Sequence, residues 1–245
     1  MEAQIQLVAV MPALDEEGSI GAVIADCFAM GVDQVIIGDN GSTDNTAAVA
    51  RAAGAVVVDA PVRGYGAACQ AALAAVPPSA KAVVFCDADG ADDLTRMRDI
   101  VDPVLAGCAD LVIGSRAHDP AARRALSWPQ RTGNMVSAIL MRLLYRVAVT
   151  DLGPFRCVST EALARLAMED PNFGWTAEMQ VKAYRLSMRV REVAVEPRER
   201  TAGVSKISGN WHAVFRAGWA IITTILKYHR CELRLAPPAP EHGAA

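Results

Sequence analysis

A surplus of positive charge is missing from this sequence. Its 245 residues carry 24 Lys and Arg against 27 Asp and Glu, a formal charge of -3, which excludes a nucleic-acid binder driven by counterion release. Paired cysteines are missing too. The six cysteines, Cys27, Cys69, Cys86, Cys108, Cys157 and Cys231, form no C-x-x-C pair and share no Cys/His spacing suited to zinc. Isolated cysteines suit reduced thiols, so a cytoplasmic protein is expected. No apolar run reaches the ~20 residues of a spanning helix. Met135–Val149 is interrupted by Arg142 and Arg146, and Trp219–Leu226 is far too short, although either stretch could lie on a bilayer. The opening MEAQIQLVAVMPALDEEG has an acidic second residue and carboxylates straight after its apolar run, unlike a secretory signal with a basic start, so no export by that route is expected. Internal repeats and low-complexity linkers are absent. With 52% apolar and 21% charged residues the chain is too hydrophobic for disorder, and its length suits one large domain or two small ones.

What is present is an alternation of short apolar runs with Ala-rich stretches. IQLVAV from Ile5, QVIIGD from Gln34, AVVVD from Ala55, KAVVFCD from Lys81 and DLVIGS from Asp110 read as strands, and stretches 17–30, 44–53, 64–76 and 92–106 read as helices. The series predicts an α/β fold with a mostly parallel sheet flanked by helices. Ligands of such sheets bind beyond the carboxyl ends of the strands. The residues to read are therefore 12–17, 39–43, 63–66, 87–93, and Ser115 with Arg116. The second half holds a helix over 131–150, the segment DLGPFRCVS, helices over 160–168 and 176–186, and a last strand RVREVAVE. It reads as an elaboration of the first half. The expected organisation is a catalytic domain over 1–209, a C-terminal amphipathic helix over 210–230 and a flexible tail over 231–245.

Several constellations at these strand ends could carry chemistry. DADGADD places Asp87 and Asp89 together at the end of a buried strand, where paired oxygens suit a hard divalent cation that also bridges a diphosphate. The plain alternative is an acidic turn whose Asp92 or Asp93 caps the next helix. An EF-hand loop is excluded, because Ala91 stands at its fifth position and Arg98 at its twelfth. DNGSTDNT is ordinary strand-to-helix turn chemistry apart from Asp39, whose carboxylate could accept the ring N–H of a uracil or guanine. RGYGAAC has Cys69 where a dinucleotide fingerprint needs its third glycine, and it follows the third strand rather than the first, so NAD binding is rejected. Gly64 could still help cradle phosphate at a helix start, or simply permit close packing. RERTAGVSKISG sets Arg200 and Lys206 around a Gly/Ser turn, either as a solvated basic loop or as cations that neutralise a departing phosphate.

In their order these motifs resemble the family 2 glycosyltransferases of GT-A fold, most closely the branch of dolichol-phosphate mannosyltransferase and its polyprenyl-phosphate relatives. MPALDEEGSI is similar to the family's P-A-Y-N-E-E opening, VIIGDNGSTDNT to D-D-G-S-x-D-x-T, RGYGAACQAAL to K-G-x-G-A-A, DADG to the D-x-D motif, DLGPFRCVS to D-x-x-S-G-F-R, and RTAGVSK to R-x-x-G-x-S-K. The resemblance implies that Pro12, Glu16 and Asp39 face the nucleobase and ribose, and that Asp87 and Asp89 hold the nucleotide side and a Mg2+ or Mn2+ ion. It further implies that Arg116, Arg156, Arg200 and Lys206 meet the donor diphosphate or an acceptor phosphate. The sequence departs from the pattern at Leu14, Asp15, Asn40 and Ala91, and its DLGPFR segment is one residue short. Asp92 or Asp93 is the candidate for a third metal ligand.

The activity so implied is an inverting, metal-assisted hexosyl transfer from a UDP- or GDP-sugar to a polyprenyl phosphate. A hydroxyl acceptor would instead need a general base, for which Glu178 in WTAEMQ is the candidate. A pyrophosphorylase is excluded by the missing G-x-G-T-R loop, and the T-E-D and Q-x-x-R-W signatures of processive synthases are missing as well. A non-enzymatic nucleotide-binding scaffold is the remaining alternative. The helix after Lys206 spaces Trp211, Phe215, Trp219, Ile222 and Leu226 along one side with Arg216, Lys227 and Arg230 nearby. Such a helix packs on the core, meets a second copy, or lies at a membrane interface.

Overall fold

The computed structural model describes residues 5–117, 128–196, 198 and 211–230. Arg200, Lys206 and the Pro/Ala-rich tail lie outside the described residues. The first half runs β1 (Leu7–Ala13), α1 (Ile20–Ala29), β2 (Gln34–Asp39), α2 (Thr46–Ala52), β3 (Val56–Asp59), α3 (Tyr65–Leu73), β4 (Ala82–Phe85), a 3-10 turn (Leu94–Arg96), α4 (Met97–Leu105) and β5 (Leu111–Ser115). The second half adds α5 (Trp128–Tyr145), β6 (Arg156–Ser159), α6 (Thr160–Leu166), α7 (Trp175–Arg185), β7 (Val190–Ala194) and α8 (Trp211–Arg230).

The strands form one sheet in the order β3-β2-β1-β4-β6-β5-β7. Every neighbouring pair is parallel except those made by β6, which runs antiparallel to both β4 and β5. This reversed strand is not foreseen by the alternating pattern, and it matters for the site. Because β6 runs backwards, its first residue, Arg156, lies opposite Phe85 at the end of β4 and Ile113 on β5.

Both faces of the sheet are covered, which is why its strands read as continuous apolar runs. Alternate residues of β1 divide between two cores. Leu7, Ala9 and Met11 meet Ile20 and Ile24 of α1 and Ile100 of α4 on one face. Val8 and Val10 meet Cys69 of α3 and Trp175 and Met179 of α7 on the other. Each fully buried Leu, Ile or Val contributes roughly 1.5–3 kcal/mol, so the period-two pattern pins the register. A third cluster joins Met141 of α5, Ala177 and Val181 of α7, and Ile225 and Tyr228 of α8. The described cysteines are free thiols, four of them buried.

Pro12 sits inside a central strand, where a missing N–H would normally break a ladder. The β1–β4 pairing has already ended at Val10 and Phe85, while Pro12 keeps its place opposite Gly38 of β2. Its nitrogen therefore faces the gap beyond β4. That gap, at the carboxyl ends of β1, β2 and β4, is the rim on which the candidate residues gather.

Candidate active site

The acidic loop after β4 is folded by its own carboxylates. Asp92 accepts the Asp87 backbone N–H at 2.8 Å, and Asp89 accepts that of Ala91 at 2.9 Å, closing a tight turn. Asp93 takes the Thr95 hydroxyl at 2.5 Å and Arg198 at 3.1 Å, while the Arg198 N–H reaches the Ala91 carbonyl at 3.0 Å. Arg198 thus ties the segment after β7 to the acidic loop, a partnership invisible in the sequence. Tyr65, at the start of α3, donates its hydroxyl to Asp87 Oδ1 at 3.3 Å.

Negative charge is crowded here. Burial, then the neighbouring Asp92 and Asp89, push the Asp87 carboxyl well above the usual carboxylate range despite Arg116 and the Tyr65 hydroxyl. Burial likewise pushes Asp92 up to about 6, against the pull of the Asp87 N–H and Arg116. Hard oxygen donors in surplus suit a divalent cation. No three His, Cys, Asp or Glu side chains among the described residues are arranged to hold a metal by themselves. A cation at Asp87 and Asp89 would therefore draw further oxygens from the substrate, as Mg2+ bound to nucleotides does.

Arg116, just past β5, faces this loop and is gripped by Asp151. Asp151 accepts the Arg116 backbone N–H at 3.0 Å, its Nε at 2.8 Å and its Nη2 at 3.1 Å, along with Asn134 Nδ2 at 2.9 Å and its neighbour Leu152 N at 2.8 Å. Burial opposes the charge of Asp151, but Arg116 and these hydrogen bonds hold its carboxyl below the ordinary range. A bidentate clamp of this kind fixes a guanidinium in plane. Asp151 opens the DLGPFR segment, whose spacing could have flagged it.

Arg156 is fully buried and directs its guanidinium at backbone carbonyls, with Nε on Gly153 at 3.1 Å, Nη2 on the same carbonyl and Nη1 on Thr176 at 2.9 Å. Desolvation lowers its pKa to about 10, with Tyr65 and Asp151 opposing. It braces the wall behind the rim.

On the other side of the rim, the loops after β1 and β2 are laced together. Asp15 adopts a positive φ of 48°, tolerated by Asp and Asn, and its Oδ1 accepts Thr43 N at 2.7 Å. Glu16 N donates to Thr46 Oγ1 at 2.7 Å. Asp39 Oδ1 takes the Ser42 hydroxyl at 2.5 Å; among the described residues no hydrogen bond engages its Oδ2. Asn40 explains its own departure from the family pattern. Its amide donates to the carbonyls of Val62 at 2.8 Å and Ala60 at 3.4 Å, and its Oδ1 accepts Gly64 N at 2.8 Å. A carboxylate could not supply those donors.

That last bond bears on the other expectation for Gly64, close packing at the helix start. Its N–H is taken by Asn40, and a Cβ there would lie 2.1 Å from the Pro171 carbonyl, at a φ of +145°. Gly66 is equally constrained, 2.0 Å from the Asp170 carbonyl, and Ala67 N donates to Pro171 O at 2.9 Å. The glycines admit the 170–172 loop.

Glu178 has no oxygen to spare. Its Oε1 accepts Lys182 Nζ at 2.6 Å, Tyr228 OH at 2.8 Å and Glu169 N at 2.9 Å, and its Oε2 accepts Asp170 N at 2.7 Å. Fully buried and saturated, it fastens α7 to α8 and to the 169–170 turn, a geometry for anchoring rather than for taking a substrate proton.

The comparisons with known proteins agree on the family. The sequence profile described as Glycosyl transferase family 2 matches residues 8–167. An uncharacterized glycosyltransferase of Mycobacterium tuberculosis (strain ATCC 25618 / H37Rv) is 38% identical over 201 residues, which are 82% of this chain and 89% of the relative. A dolichyl-phosphate hexose transferase of Haloferax volcanii is 31% identical over 226 residues, covering 90% of this chain and 92% of its own. Among solved structures, glucosyl-3-phosphoglycerate synthase from Mycobacterium tuberculosis, in complex with Mn2+, UDP and phosphoglyceric acid, matches with a TM-score of 0.72 at 25% identity, over 94% of this chain and 80% of that one. The shared architecture is the GT-A arrangement, a mostly parallel sheet flanked by helices.

Proposed function

The chain belongs to glycosyl transferase family 2, and we propose that it moves a hexose from a UDP- or GDP-sugar to a polyprenyl phosphate, with inversion at the anomeric carbon. One observation carries the reading. At the rim, one short loop closed by its own carboxylates gathers Asp87, Asp89 and Asp92 beyond the end of β4, with Arg116 facing them from its Asp151 clamp, an arrangement of hard oxygen donors and a fixed cation suited to a divalent ion with a sugar diphosphate. The similar proteins support it: a glucosyl-3-phosphoglycerate synthase crystallised with Mn2+ and UDP shares the fold, and a relative named for a dolichyl-phosphate acceptor aligns over nearly its whole length.

Asp87 and Asp89 would hold the Mg2+ or Mn2+ ion, which when bound supplies Lewis-acid stabilisation of the diphosphate. Asp39, steadied by Ser42, offers its other oxygen to the ring N–H of the base, with Pro12 and Glu16 beside it. Arg116 contributes a fixed positive charge through its Asp151 clamp, and Arg200 and Lys206 add theirs as the diphosphate departs. An acceptor phosphate oxygen attacks the anomeric carbon opposite the nucleotide; the carbon–oxygen bond to the diphosphate breaks, and its electron pair leaves with that oxygen. A phosphate monoester, with a second pKa of ~6, is largely dianionic at neutral pH and needs no base.

The second reading is transfer to a hydroxyl, supported by the phosphoglyceric acid bound to the glucosyl-3-phosphoglycerate synthase of the same fold. It would need a proton acceptor, and Glu178 is enclosed. The experiment incubates purified protein and Mn2+ with a panel of UDP- and GDP-sugars, with and without polyprenyl phosphate, and measures nucleoside diphosphate released. One donor should respond, and polyprenyl phosphate should stimulate release. Asp89→Asn should lower turnover on the order of 10^2–10^3-fold with an unchanged circular dichroism spectrum. Silence with every donor, or a full rate in Asp89→Asn, would refute the reading.

A further inference from the structure

Tyr65 stands at the position that the K-G-x-G-A-A pattern leaves open, so the resemblance gives it no task. It is the first residue of α3, and its hydroxyl donates to Asp87 Oδ1 at 3.3 Å. Among the described residues it is the one side chain that hydrogen-bonds the Asp87 carboxylate, and no hydrogen bond engages the other oxygen, Oδ2. The Asp87 backbone is fixed separately, through its N–H on Asp92 at 2.8 Å.

The tyrosine is built into place from both sides. Gly64 before it is tied to Asn40 through its N–H at 2.8 Å, and Gly64 and Gly66 both have the 170–172 loop where a side chain would be. The Pro171 carbonyl also takes the Ala67 N–H at 2.9 Å, one of those that a helix start leaves without a partner inside the helix. The ring packs against the core cluster that holds Cys69, Phe85 and Trp175. A backbone held on both flanks and a packed ring fix where the hydroxyl can be. Burial, with Asp87 and then Cys69 adding to it, pushes that hydroxyl well above its usual range, so it keeps its proton and serves as a donor.

A ligating carboxylate that is hydrogen-bonded through one oxygen offers a cation the other, and such outer partners are commonly worth roughly 10–100-fold in metal affinity. We propose that Tyr65 is a positioning residue: it occupies Oδ1 of Asp87 and so presents Oδ2 as the single oxygen with which this carboxylate meets the divalent ion. One oxygen from Asp87 leaves more of the ion's coordination to the diphosphate than a chelating carboxylate would. The inference rests on the reading of Asp87 and Asp89 as the residues that hold the ion, and it adds a residue that acts through Asp87.

The test is titration of Mn2+ into the purified full chain, read as loss of the free-ion electron paramagnetic resonance signal, with saturating UDP, or GDP where that is the nucleotide bound. Tyr65→Phe keeps the ring and removes only the hydroxyl. Its Mn2+ dissociation constant should rise about tenfold or more, while nucleotide affinity measured without metal and the circular dichroism spectrum stay at their wild-type values. A tyrosine that only filled space would lower the melting point and leave the ion's affinity alone. Asp87→Ala should also weaken Mn2+ binding, and adding Tyr65→Phe to it should cost nothing more, because the hydroxyl acts through that carboxylate. Wild-type Mn2+ affinity in Tyr65→Phe would overturn the proposal and leave the metal reading standing. So would an equal loss of metal-free nucleotide affinity, or a further loss of about tenfold on the Asp87→Ala background. Wild-type protein that binds no Mn2+ with either nucleotide would sink the metal reading and this inference together.

Discussion

Replacing Glu178 by Gln separates an anchoring carboxylate from a catalytic one. In the folded protein Glu178 is wholly buried and Lys182 nearly so, with their charged atoms 2.6 Å apart. Lys182 also donates to the Ala167 carbonyl at 2.7 Å and lies 4.9 Å from the centre of the Tyr228 ring. The substituted amide would keep one acceptor oxygen but would present an NH2 group to a donor, the Asp170 N–H if that group takes the Oε2 position. The larger loss is that Lys182 keeps its charge inside the protein without a carboxylate. Breaking one side of a buried ion pair costs about 3–5 kcal/mol, a large share of the roughly 5–15 kcal/mol that holds a domain together. Urea denaturation followed by circular dichroism should therefore show a clear fall in midpoint. Adding Lys182→Met removes the stranded charge and should recover about 2 kcal/mol, since an apolar replacement of a buried pair is often close to neutral. The decisive comparison is turnover by this double variant with the responding nucleotide sugar, below its unfolding range. Under the anchoring role it stays within a few-fold of wild type. A general base, once removed, would cost roughly 10^2–10^4-fold. A folded Glu178→Gln/Lys182→Met protein with a loss of that size, or a single Glu178→Gln variant of undiminished stability, would refute the reasoning.

Two further outcomes follow from the rim. Asp92 has its folded-state pKa raised to about 6, above an unfolded value of ~3.9; its contribution to stability is complete below the unfolded value and lost as pH rises through about 6, an effect of about 3 kcal/mol at roughly 1.4 kcal/mol per unit. Metal-free protein should accordingly melt higher near pH 5 than near pH 7.5, Asp92→Asn should flatten that dependence, and Mn2+ should stabilise the wild type more at the higher pH; melting curves with identical slopes in wild type and variant would exclude Asp92 as the source. Asn40→Asp removes the donors that hold the Ala60 and Val62 carbonyls and should cost about 1–3 kcal/mol in chemical denaturation, whereas Asn40→Ser, smaller and uncharged, should cost less than the aspartate if charge burial dominates.

Much of the sheet was legible in the residues. Val8 and Leu7 alternate between two cores because a strand's side chains alternate faces, and that periodicity is local information. Asp39, Asp87 and Arg116 could be picked out because each directly follows a strand, and in a parallel sheet those strand ends share one rim. The same local reading could suggest two roles for Gly64 or Glu178 without deciding between them. What surrounds each residue comes from distant segments: the Pro171 carbonyl fills the space beside Gly64, and Tyr228, fifty positions along, completes the shell of Glu178.

The order of motifs from Pro12 to Lys206, together with strand periodicity, was enough to establish the α/β class, the family and the rim that carries the acidic pair. Only the folded chain revealed that β6 runs backwards and brings Arg156 into the wall, that Asp151 grips Arg116, that Asn40 must be an amide, and that two acid-free helices expose their apolar sides. The physical reason is range. Alternation and strand-end position are properties of neighbouring residues, whereas a hydrogen-bond partner, a buried charge's counterion or an uncovered face depends on which remote segments pack together.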